Sequence, residues 1–248
     1  MNLKAVTAVL ILICLLNACD YSKYKYGFFE GNWVCINYLD TVQKYRSVYA
    51  ARQQPMVELV FKRHVDTALW MYNGIERQLY GFKHITSNQV MFNDVYEKPL
   101  SVYINEEAFY LSYTNKQTQM VFVRPDERLV DTGNQAEWPT TTQQVIHSLV
   151  IAGIYKLSNQ PIPVQFYLSG KISGWDLYNY YEVCTGGDCA SFYEGDVLYL
   201  SNQKTGNYYT WEWNKRTVDI FELVPVHAKG EKPYYKKGNK LITLYKLK

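Results

Sequence analysis

The sequence predicts an all-β fold built as one or two antiparallel barrels, or a barrel-like sandwich, with one or two short helices. Three observations carry this. Short apolar runs recur along most of the chain and are separated by Gly, Asn, Asp and Pro turns, the spacing of a meander rather than of alternating βα units. Aromatic residues make up 16% of the chain, with 24 tyrosines and 6 tryptophans, and such residues favour a pleated, half-buried surface. Only two stretches show the three-and-four spacing of an amphipathic helix.

The N-terminus reads first as a signal peptide over residues 1–18. Lys4 supplies a positive charge, and Ala5 to Leu16 is apolar apart from Thr7. A membrane-spanning helix needs roughly 20 apolar residues; this stretch has the length of a signal-peptide core. Leu16-Asn17-Ala18-Cys19 resembles the bacterial lipobox, with an aliphatic residue at −3, a small one at −1 and then cysteine. That resemblance implies a lipoprotein: cleavage before Cys19, acylation of its thiol with palmitate or a similar chain, and a place in the cell envelope on the exported side of the inner membrane. The alternative is an ordinary secretory leader cut near Ala18. Residues 19–27 then form a short tether.

Residues 28–124 form the first β unit. Gly31-Asn32-Trp33 opens it. Ile36, Leu39, Val42, Tyr45, Val48 and Tyr49 then recur at helical spacing, which predicts a helix over about 36–51. Strands follow at 56–62, 67–72, 75–82, 89–92, 100–104, 108–113 and 119–123, and Asn73-Gly74 marks a hairpin because both residues tolerate positive φ. Pro125, Gly133, Asn134 and Pro139 mark 125–142 as a linker. Thr140 caps a short helix carrying Val145, Ile146, Leu149 and Val150; His147, beside Thr and Gln residues on it, reads as exposed or as a helix-end residue.

Residues 143–248 form the second β unit, opening with Gly153-Ile154-Tyr155. Strands are expected at 164–168, 171–183, 196–200, 207–213, 217–224 and 240–247, with Gly174 a bend inside the long one. The two units look like a degenerate duplication, each opening with Gly-x-aromatic. Cys184 and Cys189 flank a Gly-Gly turn. A hairpin disulfide fits this exported pair, with zinc and redox readings as weaker alternatives. Cys35 reads as a buried free thiol. Residues Lys229 to Lys248 hold seven lysines against Glu231. They read as an exposed edge strand protected by charge, or as a contact for a membrane or polyanion.

Gly31-x-Trp33 at the head of a meander resembles the opening of lipocalins and other calycins. Gly153-x-Tyr155, with Val164-Gln165-Phe166 and Lys171-Ile172-x-Gly174, resembles it again. The whole layout, with Tyr38-Leu39-Asp40-Thr41 on a helix after the first tryptophan, is similar to lipoproteins of Bacteroidetes that carry lipocalin-like domains. The resemblance implies lipocalin-like barrels and, as a family tendency, binding of a small apolar ligand.

The residues show no catalytic or cofactor chemistry. The four histidines lack metal-ligand spacing, and His64-Val65-Asp66 reads as polar surface. No nucleophile elbow or phosphate-binding glycine loop is present. The net charge of +3 is too small to imply a nucleic-acid partner. Glu182, Asp188, Glu194 and Asp196 could line one opening as a hydrolase pair. The strongest pattern is aromatic. Tyr209, Trp211 and Trp213 alternate onto one strand face, and with Trp33 and Trp175 they are either core or the wall of a pocket for a small apolar or glycan-like ligand. The sequence therefore predicts a membrane-anchored, non-catalytic binding module, with a structural or protein-interaction module of the envelope as the alternative and a hydrolase third.

Overall fold

The computed structural model describes residues 29–54, 57–61, 67–72, 76–86, 89–95, 98–105, 110–114, 119–126, 139–158, 160–185, 193–226 and 234–247. Cys19, His64, Asp66, Asp188 and Cys189, on which parts of the sequence reading rest, lie outside these residues.

Among the described residues, sixteen strands and two short α-helices form two antiparallel β units. The first contains β1 (Gly31–Cys35), helix α1 (Ile36–Tyr45), a 3-10 turn (Tyr49–Ala51), β2 (Val57–Phe61), β3 (Thr67–Tyr72), β4 (Glu76–Thr86), β5 (Gln89–Val95), β6 (Lys98–Asn105), β7 (Tyr110–Thr114) and β8 (Gln119–Val123). Each strand pairs with the next, and β8 returns to β1 through Val34↔Val123 and Cys35↔Phe122, closing an eight-stranded barrel. Closure leaves no free edge.

Helix α2 (Thr141–Val150) follows. The second unit contains β9 (Gly153–Leu157), β10 (Val164–Phe166), β11 (Ile172–Ser173), β12 (Tyr180–Val183), β13 (Val197–Ser201), β14 (Gly206–Asn214), β15 (Thr217–Val226) and β16 (Tyr234–Lys246). It is one eight-stranded antiparallel sheet of the same meander order, nearly closed into a barrel. Neighbours in sequence are neighbours in space, β16 returns to β9, and the terminal strands β11 and β12 meet at a single Lys171–Tyr180 bridge.

The two openings match in detail. Gly31 and Gly153 both have positive φ, 113° and 147°, which side chains other than hydrogen rarely tolerate. Two residues on, Trp33 and Tyr155 are fully buried. Trp33 Nε1 donates to Phe29 O at 2.8 Å, and Tyr155 Oη donates to Ile151 O at 2.7 Å, so each ring reaches back four residues. A basic side chain following or ending the last strand covers each glycine: Arg124 lies over the Trp33 ring at 4.7 Å, and Lys246 packs beside Gly153.

Three elements depart from the sequence reading. The helix over 36–51 ends at Tyr45, because Arg46 takes the left-handed conformation (φ 49°) and caps it. The strand over 171–183 is two strands. Gly174 has φ 77°, and a Cβ there would run into Pro163 O, so the chain turns out of the sheet and re-enters at Tyr180. The C-terminal strand is no edge: β16 is paired on both sides, with Lys246 opposite Tyr155. Along its N-terminal half, though, the β15–β16 hairpin outgrows its neighbours. β14 pairs no further than Glu222, and the remaining ribbon exposes Val224, Val226 and Tyr234.

Helix α2 is wedged between the units; His147 does lie in its last turn, but it is buried, not exposed. Thr140 to His147 are all buried. Thr140 caps the helix by accepting from Gln143 N at 3.2 Å. On the other side, Glu58 of β2 is almost fully buried and accepts from Thr142 N at 2.9 Å, while Asn32 donates to the Thr141 hydroxyl. A carboxylate at a helix N-terminus satisfies donors that have no intrahelical partner. Burial nevertheless pushes the Glu58 carboxyl up from its usual range, against the hydroxyls and amide of Thr140 to Thr142 that hold it down.

Candidate binding site in the second barrel

Because the second unit is an antiparallel meander, its connections alternate between two ends. The near end carries α2, the 167–171 turn, the end of β12, the start of β13 and the β14–β15 turn. The far end carries the connections 158–163, 174–179 and 202–205.

Helix α2 closes the near end. His147 is fully buried, its Nδ1 lies 2.8 Å from Leu168 O, and its ring packs at a tilt against Tyr181, 4.6 Å between centroids. A carbonyl only accepts, so Nδ1 carries a proton. Burial lowers its pKa to about 4, the bond to Leu168 acting weakly the other way. Gln143, one helical turn earlier, donates to the Thr185 hydroxyl at 2.6 Å, and Trp213 Nε1 donates to Val150 O at 2.8 Å.

From His147 a column of ring contacts runs through the core of the second unit. Tyr181 meets Phe166 at 5.2 Å, Phe166 meets Trp175 at 6.1 Å, and Trp175 meets Tyr178 edge-on at 5.0 Å. Tyr178 then meets Tyr209 at 5.9 Å, and their hydroxyls hydrogen-bond. Such edge and tilted pairs contribute about 0.5–1.5 kcal/mol each beyond their buried area. The column changes character along its length. Tyr181 and Phe166 are sealed, Trp175 and Tyr209 are 6% and 7% exposed, and Tyr178 at the far end is only half-buried. Burial, and then the bond to Tyr209, hold the Tyr178 phenol well above its usual range. Leu177 is 57% exposed beside it, and Ile162 on the neighbouring connection is 63% exposed. Asn202 Nδ2 donates to Leu177 O at 3.0 Å and ties two far-end connections together.

The five aromatics singled out in the sequence therefore divide. Tyr209 and Trp175 come together at the far end. Trp211 is buried in mid-barrel, Trp213 lies at the near end, and Trp33 is the core of the other barrel. Tyr178, which links Trp175 to Tyr209, carried only the signal of an aromatic-rich stretch. The carboxylates also divide. Asp196 accepts from Tyr49 N at 2.8 Å, fastening the 3-10 turn to the second barrel, and burial raises its pKa. Glu182, on β12, is raised by burial too, and Glu194 is exposed. Among the described residues no group of His, Cys, Asp and Glu is arranged to hold a metal ion. Cys35 is a buried free thiol, and Cys184 is disulfide-bonded. Among the described residues no helix is long and apolar enough to cross a membrane.

No protein-family model, curated protein or solved structure matches this chain.

Proposed function

We propose that this chain is an envelope lipoprotein held by lipid on Cys19, and that its second barrel is a non-catalytic binding module for a small apolar or glycan-like ligand. The observation that carries the binding reading is the half-buried Tyr178 at the far end, hydrogen-bonded to Tyr209 and edge-on to Trp175. An aromatic wall with one polar handle is the usual make-up of a small-molecule site. A ligand entering between the 158–163 and 174–179 connections would exchange the Tyr178–Tyr209 bond for its own hydroxyl or carbonyl. The test is calorimetric titration with an apolar fluorophore and with a panel of soluble oligosaccharides. Binding that weakens about tenfold in Tyr178→Phe supports the reading; no saturable binding by either class removes it. Palmitate labelling of the wild type and of Cys19→Ala tests the anchor separately, and equal labelling would sink it.

A second reading, an interaction module of the envelope, is favoured by the β15–β16 ribbon. An exposed two-stranded ribbon is marginal alone, and Val224, Val226 and Tyr234 offer it an apolar contact. A photo-crosslinker at position 226 in intact cells would trap that partner; its failure there, beside positive ligand binding, leaves the first reading standing.

A further inference from the structure

Only two non-glycine described residues have positive φ, Arg46 (49°) and Lys215 (56°). Both are basic; Arg46 lies over Trp213, and Lys215 is in the turn that follows it. Arg46 caps α1 and sets its guanidinium 4.3 Å from the Trp213 ring centroid. Lys215 lies two residues past Trp213, in the turn between β14 and β15. Lys246 reaches the same ring from β16, with its Nζ 5.6 Å from the centroid, and its backbone N–H donates to Arg216 O in that turn. Left-handed backbone is unfavourable for a residue with a Cβ, and a helix cap or a tight hairpin turn is where glycine or asparagine serves best. The fold thus places cations at two positions that disfavour them.

Neither Arg46 nor Lys246 has a carboxylate within salt-bridge distance among the described residues; the bridges there are Lys237–Glu212 and Lys240–Asp219. Lys246 is partly buried, and its pKa is lowered first by that burial and then by the Arg46 charge. The C-terminal carbonyls of α1 attract Arg46, but they do not account for a second, partly desolvated cation on the same indole.

We infer that Arg46 and Lys246, with Lys215 on the adjoining turn, form an anion site beside Trp213, and that its ligand is a phosphate-type oxyanion. A guanidinium presents a planar fork that matches two oxygens of such a group, and an ammonium supplies a point charge beside it. The site is at the near end of the second barrel, away from Tyr178, so it stands or falls independently of the binding reading above. Its oxyanion could arrive as free phosphate or as a lipid headgroup, and the experiment separates these.

The probe is inorganic phosphate, titrated at constant ionic strength into the full chain carrying Cys19→Ala. The readout is the Trp213 indole N–H resonance, identified by its absence in Trp213→Phe. Saturable movement in the millimolar range is expected, weakened at least tenfold in Arg46→Gln and in Lys246→Gln. Lys215→Gly keeps the result interpretable should those variants lose stability. It relieves the backbone, so its melting temperature should equal or exceed the wild type's, while phosphate binding weakens severalfold. A purely structural lysine would move neither in that combination. In a parallel arm, vesicles of phosphatidylglycerol with phosphatidylcholine are compared with phosphatidylcholine alone. Phosphate-competed binding to the first assigns a headgroup, and binding of free phosphate without vesicle binding assigns the soluble ion. An indole shift that matches added chloride, or that persists unchanged in all three variants, overturns the site.

Discussion

Lowering the pH should weaken this fold through His147, and the size of the effect follows from its surroundings. The imidazole is fully buried, donates from Nδ1 to Leu168 O and packs at a tilt against Tyr181. Its pKa falls to about 4 in the fold from an ordinary 6.5. The unfolded chain therefore binds the proton more tightly than the folded one between those values. Stability from this group is complete above pH 6.5 and is lost as the pH falls toward 4. One pKa unit corresponds to about 1.4 kcal/mol, so the loss reaches about 2.5 kcal/mol by pH 4.5. Glu58, Glu182 and Asp196 act in the opposite sense, because burial raises each of them; their contribution is present at low pH and fades as the pH rises through their folded values. The wild-type curve alone is thus a sum, and His147→Gln isolates one part of it. Urea unfolding of both proteins between pH 4.5 and 7.5 is the assay. At pH 7 the variant should be less stable by about 1–3 kcal/mol, having lost the ring contact and part of the Leu168 bond. By pH 4.5 the gap should close or reverse. Parallel curves would refute the reasoning, as would an imidazole that titrates near 6.5 in the folded protein.

Other perturbations test other joints of the structure. Glu58→Ala strips the acceptor from the buried N-terminus of α2 and should cost about 2–3 kcal/mol, whereas Glu58→Gln, which keeps an acceptor oxygen, should cost less in the same urea assay. Gly174→Ala should lower the melting temperature by several degrees, since a Cβ there meets Pro163 O on a backbone with φ 77°; an unchanged melt would mean that the 174–179 turn is free to rearrange. Cys35 is 2% exposed and its thiol pKa is raised by burial, so iodoacetamide should label it only after denaturation, and Cys184 only after reduction as well, as read by peptide mass spectrometry.

The barrels were legible in the chain because their signals are local. The strands 67–72 and 119–123 fall where the alternation of residue types puts them, and the glycines two residues ahead of Trp33 and Tyr155 mark both openings. What escaped depends on contacts between distant segments. His147, beside Thr and Gln residues, reads as exposed or as a helix-end residue; the run Thr140 to His147 is buried because Glu58 and Asn32 meet it from one side and Leu168 and Thr185 from the other. Arg124 stood at the head of a linker, and nothing local showed that it would lie over Trp33. The helix at 36–51 had no glycine or proline to stop it, and the stop at Arg46 arises where that side chain meets Trp213. The aromatic column was visible as composition, but the order of its members along the axis was not.

The seam of the first barrel sets how that barrel responds to force. β1 and β8 are antiparallel neighbours, joined at Val34↔Val123 and Cys35↔Phe122, and Arg124 lies against Gly31. The chain thus enters and leaves the barrel at one corner. Tension between the N-terminal segment and the second barrel runs across that corner, bypassing the other strands of the sheet. It pulls the two seam strands apart pair by pair, like a zipper, instead of shearing them together. In a pulling experiment with handles at residues 29 and 139, the first barrel should open at lower force than with handles on β3 and β6, and the second barrel should stay folded meanwhile.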